Sequence, residues 1–142
     1  MADPSVQISD PRVEAYILAL AAQGGLPGLA PGLVEVLQVM EQHAEGLNFP
    51  VAGPQIGRVL YLLAGLVGAR RIYDAGCGFG YSSAWLAAGA GAGATVTCVD
   101  FSEENVRQGR DYHRRAGLQA AFDYRYGDAV DTLELEVGPF DL

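Results

Sequence analysis

Three alternating glycines in this sequence lie where a ligand could approach the backbone. Gly76, Gly78 and Gly80 follow a short predicted strand and open a predicted helix. Glycine permits a sharp turn, often at positive φ, and places no Cβ in the path of a ligand. The helix start adds free N–H groups and a positive dipole end, and Ser82 and Ser83 add hydroxyl donors. A tight turn without a ligand is the alternative, but alternate glycines cost backbone entropy, so the pattern favours a nucleotide-like cofactor.

Two acidic residues close the next two predicted strands and fall on the same rim as the glycines. Asp100 is predicted to accept hydrogen bonds from ribose hydroxyls; the alternative is a helix cap, a role that Ser102 can already fill. Phe101 either lies against an adenine face or packs in the ordinary way. Asp128 either meets the ligand at the carboxyl ends of the strands or caps the short helix that follows it.

The remaining reactive residue types form no catalytic or metal-binding constellation. Cys77 is either a thiol activated by the helix start or, more commonly, a small filler, and Cys98 alternates with core residues of a strand. His43 and His113 lie on predicted helices without a Cys or carboxylate at metal-ligand spacing, which predicts surface or capping histidines and no metal site within this chain. No Ser/His/Asp or Cys/His arrangement can be assembled.

The elements around the glycines alternate between strand and helix. Strands are predicted at 70–74, 95–100 and 121–126, with helices at 81–88 and 102–117 between them. Such alternation implies right-handed crossovers and an α/β fold with a parallel, Rossmann-like doubly wound sheet in the order 3-2-1. The last five residues resemble the start of a fourth strand, so the sheet is expected to be incomplete and the edge of its first strand unpaired.

Three helices are predicted before the first strand, at about 10–24, 32–44 and 54–68, with 46–53 as a connector. The third helix carries four apolar residues on one face: Ile56, Leu60, Leu63 and Val67.

Composition limits the class of protein. The chain has 142 residues, of which 50% are hydrophobic, and a net charge of −8, which indicates a globular domain with no electrostatic footprint for nucleic acid or anionic membranes. No apolar run reaches membrane-spanning length, and the acidic N-terminus shows no secretory signal. Two cysteines are too few for a disulfide framework, so a cytoplasmic protein with reduced thiols is expected.

The spacing of the glycines bears on which cofactor binds. The dinucleotide fingerprint is G-x-G-x-x-G, whereas this sequence has G-x-G-x-G, with Tyr81 where the fingerprint requires its third glycine. Many dinucleotide domains also begin with the first strand rather than with helices. S-adenosylmethionine is therefore favoured, and an NAD-binding oxidoreductase half-domain is the alternative.

The linked motifs from about Glu45 to the end resemble a known family. They are GLNFPVAGPQIGRVLYLLAGLVGARRIYDAGCGFGYSSAWLA, TVTCVD, HRRAGL, YGDA and GPFDL. Together they resemble the N-terminal two-thirds of a class I S-adenosylmethionine-dependent methyltransferase of the type that includes catechol and caffeoyl-CoA O-methyltransferases. The resemblance implies extra N-terminal helices, a small hydroxylated acceptor and often a homo-oligomer. It divides the chain into a helical cap with a covering segment, 1–53, and a cofactor-binding half-domain, 54–142.

The resemblance also assigns roles to residues. Asp74 would help hold the amino-acid end of the cofactor, Asp128 and Ala129 would meet the adenine edge, and Phe49, with its two preceding residues, would fold over the methionine part and the acceptor. The full predicted cofactor-binding set is Phe49, Asp74, Gly76, Cys77, Gly78, Tyr81, Ser82, Asp100, Phe101, Asp128 and Ala129.

The same resemblance places the catalytic machinery elsewhere. The family's divalent-metal ligands and catalytic lysine would lie beyond Leu142, and Asp141 does not match the first metal carboxylate. A divalent metal such as Mg²⁺ is therefore expected only in a full-length member. The other functional hypothesis is a non-catalytic truncated domain that self-associates through its open sheet edge.

Overall fold

The described part of the chain is five helices around a three-stranded sheet. A computed structural model describes Arg12, residues 29–118 and residues 120–142, and the structural statements below concern these. The first predicted helix, near 10–24, lies, apart from Arg12, outside the described residues. The elements are α1 (Pro31–Leu47), α2 (Gly53–Leu66), β1 (Arg71–Ala75), α3 (Tyr81–Ala90), β2 (Thr95–Asp100), α4 (Glu103–Ala116), β3 (Ala121–Tyr126) and α5 (Ala129–Glu134).

The sheet has the predicted parallel topology. β2 lies between β1 and β3, with Ile72 opposite Val96 and Val96 opposite Phe122. Helices cover the central strand, so all its residues after Thr95 are buried, as expected for a parallel sheet. Cys98 lies in this buried row, which confirms its predicted place in the core.

The free edge of β1 is partly paired, contrary to expectation. The N–H of Asp141 donates to the carbonyl of Arg71 at 2.8 Å, and the N–H of Tyr73 donates to the carbonyl of Leu142 at 3.0 Å. The Asp141 carboxylate also accepts the N–H groups of Arg71 and Arg70, and these bonds lower the pKa of its carboxyl. The last residues therefore lie along β1. They do not form a regular strand, because they make only two backbone hydrogen bonds to it.

The buried face of α2 differs from the predicted apolar face. Of the predicted face only Leu60 packs against the core, where it is half-buried. Ile56, Leu63 and Val67 are 52%, 41% and 55% exposed, and the buried residues of this helix are Gly57 and Ala64. Small residues let α2 approach α3 closely: Gly57 faces the buried indole of Trp85. Close packing of backbones, rather than apolar side chains, decides which side of α2 faces inward.

The contact between α2 and α3 allows a prediction about stability. A Cβ added at Gly89 would lie 2.1 Å from the carbonyl oxygen of Tyr61, and backbone cannot move aside cheaply. Gly89→Ala is therefore expected to lower the free energy of unfolding by about 1–3 kcal/mol, as overpacking commonly does. Urea denaturation measures this change.

Gly46→Ala is the matched control. Gly46 lies in α1, and a Cβ there would meet nothing within 4 Å. Alanine should leave stability unchanged or raise it by up to about 1 kcal/mol, because alanine has the higher helix propensity. Equal stability of the Gly89→Ala protein and the wild type would contradict the close contact.

Candidate cofactor-binding site

A cleft of about 520 Å³ lies at the carboxyl ends of β1 and β2, where ligands bind in such sheets. Its volume falls within the roughly 300–1,000 Å³ of small-molecule sites. Its walls are the glycine loop, the start of α4 and the segment that joins α1 to α2. The lining residues are Phe49, Pro50, Val51, Ala52, Asp74, Ala75, Gly76, Cys77, Gly78, Phe79, Tyr81, Ser82, Asp100, Phe101 and Asn105.

The glycine loop has the backbone that the sequence predicted. Gly76, Gly78 and Gly80 have φ values of 73°, 53° and 86°. A Cβ at Gly76 would meet no protein atom within 4 Å, so this backbone is open to an approaching group. A Cβ at Gly78 would lie 2.9 Å from the Phe49 ring, so the covering segment packs directly on the loop.

Asp100 ties the loop to the end of β2. It is only 4% exposed, and its Oδ2 accepts the N–H of Gly78 at 2.9 Å. Its Oδ1 accepts the N–H of Ser102 at 2.9 Å and the amide of Asn105 at 3.0 Å. Ser102 caps α4 through its own hydroxyl, as predicted. A carboxylate oxygen has two acceptor sites, so Oδ2 can take one further donor.

Asp74 ties the end of β1 to the first turn of α3. Its Oδ2 accepts the hydroxyls of Ser82 at 2.8 Å and Ser83 at 2.5 Å. Burial raises the pKa of the Asp74 carboxyl, and the two hydroxyl bonds act against this rise. The serines are therefore engaged within the protein, and they set the position of the helix start.

Tyr81 and Phe101 border the cleft in different ways. The buried Tyr81 donates its hydroxyl to Glu41 of α1 at 2.5 Å, a partner that the sequence did not indicate. Burial, with the Glu41 bond, raises the pKa of the Tyr81 phenol. Phe101 is 80% exposed at the rim, so it is available as a flat platform and is not packed in the core.

Cys77 is buried in the loop, and its thiol donates to the carbonyl of Gly78 at 3.4 Å. Its interaction with the Cys98 thiol, followed by burial, raises the pKa of Cys98 well above its ordinary value. Both cysteines are free. The burial of Cys77 agrees with the filler alternative.

Asp128 and Ala129 lie apart from the cleft lining. Oδ1 of Asp128 accepts the N–H groups of Val130 and Asp131, which makes Asp128 the N-cap of α5. The Ala129 carbonyl accepts the hydroxyl of Tyr73 at 2.6 Å. Their contact with an adenine edge stays a prediction.

The prediction of surface or capping histidines is wrong for His113, which is buried and bonds to residues outside its own helix. This side chain is 3% exposed, stacks on Phe122 with ring centroids 4.1 Å apart, and bonds to Gly80 and Tyr124. Burial lowers the pKa of His113 to about 4. His43 is half-buried, stacked on Phe79 and bonded to the Tyr112 hydroxyl.

Phe79, a residue that sequence reasoning passed over, anchors the glycine loop. It is fully buried and packs on Phe49 and His43, with ring centroids 4.9 and 5.2 Å away. A Cβ at Gly109 of α4 would lie 3.2 Å from the Phe79 carbonyl. A glycine inside the polar helix α4 is thus the sequence signal that could have revealed this close approach.

The charge of the cleft is negative. The carboxylates of Asp74 and Asp100 line it, and its described lining contains no Arg, Lys or His. Within the described ranges, no group of three or more His, Cys, Asp or Glu side chains could hold a metal ion. Of the helices in those ranges, none is both long and apolar enough to cross a bilayer.

Comparisons with known proteins agree with this geometry. A family profile described as "Methyltransferase domain" matches residues 72–142. The catechol O-methyltransferase of Mycobacterium tuberculosis is 34% identical over 137 residues, which is 96% of this chain and 59% of that protein. The chain thus spans about three-fifths of the length of this relative.

Solved structures show the same fold. A methyltransferase from Geobacter sulfurreducens superimposes with a TM-score of 0.71 at 30% identity, over 89% of this chain and 62% of that one. An O-methyltransferase from Bacillus cereus, solved in complex with SAH, gives a TM-score of 0.67 at 31% identity, over 91% of this chain and 57% of that one. The chain belongs to the methyltransferase-domain family, and its Rossmann-like sheet is partial relative to these proteins.

Proposed function

We propose that this protein binds S-adenosylmethionine and acts as an O-methyltransferase on a small hydroxylated, catechol-like molecule. The observation that carries the proposal is a cleft that joins a positive-φ glycine loop to two carboxylates, with no basic residue among its described lining. The relatives named above support O-methyl transfer as the reaction type. The part of their length that this chain matches supports its assignment as the cofactor-binding half-domain.

The charge of the cleft separates the candidate cofactors. The sulfonium and ammonium groups of S-adenosylmethionine are cationic, whereas the pyrophosphate of NAD is anionic. Asp74 and Asp100 attract the first and repel the second, and the low local dielectric of a cleft strengthens both effects. An NAD-binding half-domain is therefore disfavoured on electrostatic grounds as well as by the glycine spacing.

Nine of the predicted residues border the cleft, and we assign their roles as part of the proposal. Asp100 accepts a ribose hydroxyl through the free capacity of Oδ2, and Phe101 lies against the adenine. The backbone of the glycine loop and Asp74 position the amino-acid end. Phe49, from the cap segment 1–53, covers the methionine part, and the apolar residues after it face the acceptor.

The reaction transfers a methyl group from the sulfonium sulfur to the acceptor oxygen: the S–C bond breaks as the O–C bond forms, S-adenosylhomocysteine is left, and the hydroxyl proton passes to water. The described residues bind and orient the cofactor for this displacement, which contributes through proximity. They offer no carboxylate or histidine cluster for a metal. The divalent metal and the catalytic lysine that the family resemblance implies are assigned to a full-length family member, and no step here depends on them.

Homo-oligomerisation in the cytoplasm is a further part of the proposal. Several large apolar side chains of α2 are exposed, among them Ile56, Val59, Leu62 and Leu66. Exposed apolar surface of this kind favours association. The same surface supports the second candidate function, a non-catalytic domain that only self-associates.

Calorimetry with S-adenosylhomocysteine and with NAD⁺ tests the cofactor. We expect S-adenosylhomocysteine to bind at least tenfold more tightly than NAD⁺. Preference for NAD⁺, or binding of neither ligand by a folded sample, would contradict the proposal. A methyl-transfer assay on catechol, combined with light scattering, separates the two functions, because an oligomer that binds no cofactor supports the second.

A further inference from the structure

His113 contacts the glycine loop from outside the cleft. It lies on α4, it is buried, and it is absent from the described cleft lining. Its Nε2 lies 2.7 Å from the carbonyl oxygen of Gly80, and its Nδ1 lies 2.7 Å from the hydroxyl of Tyr124. The imidazole therefore bridges the loop and β3.

The partners of His113 define its tautomer. A carbonyl oxygen can only accept, so Nε2 carries the hydrogen and donates to Gly80. In the neutral ring Nδ1 is then the acceptor, and the Tyr124 hydroxyl donates to it. Burial, which lowers the pKa of His113 to about 4, keeps the ring in this neutral form at neutral pH.

The accepting carbonyl belongs to Gly80, the N-cap residue of α3. Gly80 has a φ of 86°, and its carbonyl also accepts the N–H of Ala84 at 3.0 Å. Two donors on one carbonyl fix the plane of the peptide between Gly80 and Tyr81. That plane carries the Tyr81 N–H, the first amide of the helix, whose partner cannot be intrahelical.

The loop also lies close against the imidazole. A Cβ at Gly80 would lie 2.6 Å from the His113 ring, so glycine at this position and histidine on α4 are sterically matched. The ring is held on its other side by Phe122 and, through Tyr124, by Arg110, whose guanidinium lies 5.1 Å from the Tyr124 ring centroid. The imidazole is therefore a rigid support.

We infer that His113 is a positioning residue for cofactor binding: it holds the Gly80–Tyr81 peptide so that the glycine loop keeps the shape that receives S-adenosylmethionine. This inference rests on the proposed function for the identity of the ligand. It assigns no contact between His113 and the cofactor. Its effect passes through a single backbone carbonyl, with Tyr124 as the orienting partner.

Three variants test the inference. His113→Leu fills space but removes the donor. His113→Gln retains a donor and an acceptor at a similar separation, and Tyr124→Phe removes only the hydroxyl that orients the ring. Ile72→Val is the matched control, because it trims a fully buried residue of β1 at the end remote from the loop.

Two measurements are made on each protein: calorimetric affinity for S-adenosylhomocysteine, and hydrogen exchange of amides 78–82 in the ligand-free state. We expect His113→Leu to weaken binding at least tenfold and to speed loop exchange at least tenfold. His113→Gln should stay within about threefold of wild type, and Tyr124→Phe should fall between the two. Ile72→Val should change neither quantity, although its stability drops.

A spectroscopic readout separates positioning from general support of the fold. The Nε2–H of His113 should give a slowly exchanging proton resonance that shifts when S-adenosylhomocysteine is added to the wild type. A folded His113→Leu protein with wild-type affinity and loop exchange would overturn the inference, as would equal losses in Ile72→Val. If His113→Leu does not fold, two other results together would overturn the inference. Tyr124→Phe would keep wild-type affinity and wild-type exchange of amides 78–82, and S-adenosylhomocysteine would leave the Nε2–H resonance of the wild type unshifted.

Failure of the proposed function has a different signature. If the wild type binds no S-adenosylhomocysteine, the proposed cofactor is wrong. The exchange rates of amides 78–82 then decide the positioning role alone, since they are measured without ligand. Faster exchange in His113→Leu but not in Ile72→Val would support it, and equal rates would refute it.

Discussion

Replacing Asp100 by asparagine is expected to weaken binding of S-adenosylhomocysteine about a hundredfold, which corresponds to about 2.7 kcal/mol. The buried carboxylate accepts three hydrogen bonds, from Gly78, Ser102 and Asn105. Asparagine replaces one carboxylate oxygen by an NH₂ group, which would face one of these N–H donors and could not accept its hydrogen bond. Loss of one partner in a buried, charge-assisted set commonly costs about 2–5 kcal/mol. Affinity for S-adenosylhomocysteine should fall for two reasons. Gly78 belongs to the glycine loop that Asp100 holds, and the ribose would lose its hydrogen-bond acceptor.

Calorimetry measures the affinity, and circular dichroism checks that the variant is folded. Asp131→Asn is the matched control, since it removes the same charge from an exposed position that is neither in the cleft lining nor in the predicted cofactor-binding set. We expect it to bind as the wild type does. Wild-type affinity in Asp100→Asn would contradict the proposed role of Asp100. Asp128→Asn is a separate test: asparagine is an equally good N-cap, so a large loss of affinity there would support the adenine contact that the family resemblance assigns to Asp128.

The stability of the protein is expected to fall by about 3 kcal/mol between pH 7 and pH 4 through His113 alone. Burial lowers the pKa of this histidine from 6.5 to about 4 in the folded protein. Between these two pH values the unfolded chain binds a proton that the folded chain does not. Acidification therefore favours unfolding through this window, and the contribution levels off about one pH unit below the folded-state pKa of about 4. The groups packed around the ring are Gly80, Phe122 and Tyr124, with Arg110 behind Tyr124, and none of these is a carboxylate that could stabilise an imidazolium.

His113→Gln isolates this contribution, because glutamine does not titrate. Urea denaturation of both proteins at pH 7, 5.5 and 4 should show a steeper loss in the wild type, and the difference should approach about 3 kcal/mol at the lowest pH. Other groups are common to both proteins and cancel: acid removes the stabilising carboxylate of Asp141, whose pKa is lowered, and favours the protonated Asp74, whose pKa is raised. Parallel pH profiles for the two proteins would show that His113 is not buried as described.

Short-range sequence patterns were sufficient to predict the features that depend on a single helix, strand or turn. The strands at 95–100 and 121–126 were predicted with their observed limits because β-branched or aromatic runs lie between turn residues. The positive φ of Gly76 and the hydroxyl cap of Ser102 follow from chemistry within a few residues. The family resemblance assigned Phe49 to a segment that covers the methionine part and the acceptor, and this role stays a prediction; the packing of its ring on Gly78 is seen only in the structure.

Long-range packing decided the features that were mispredicted. The apolar face of α2 suggested burial, but the contact of Gly57 with Trp85 turns another face inward. Helical periodicity describes one helix, whereas the approach of two backbones depends on both. The C-terminal residues were expected to leave β1 bare, yet Asp141 bonds to it. That pairing depends on where the chain returns after α5.

The sequence by itself determined the parallel order of the strands, the glycine loop and the acidic residue at the end of β2, because these depend on residue type and short-range spacing. Only the tertiary structure showed that Asp100 holds the loop as well as facing the cleft, that Tyr81 bonds to Glu41, and that His113 is buried behind Gly80. Each of these is a hydrogen bond between residues far apart in the chain. Their geometry exists only once α1, α4 and the sheet have packed together.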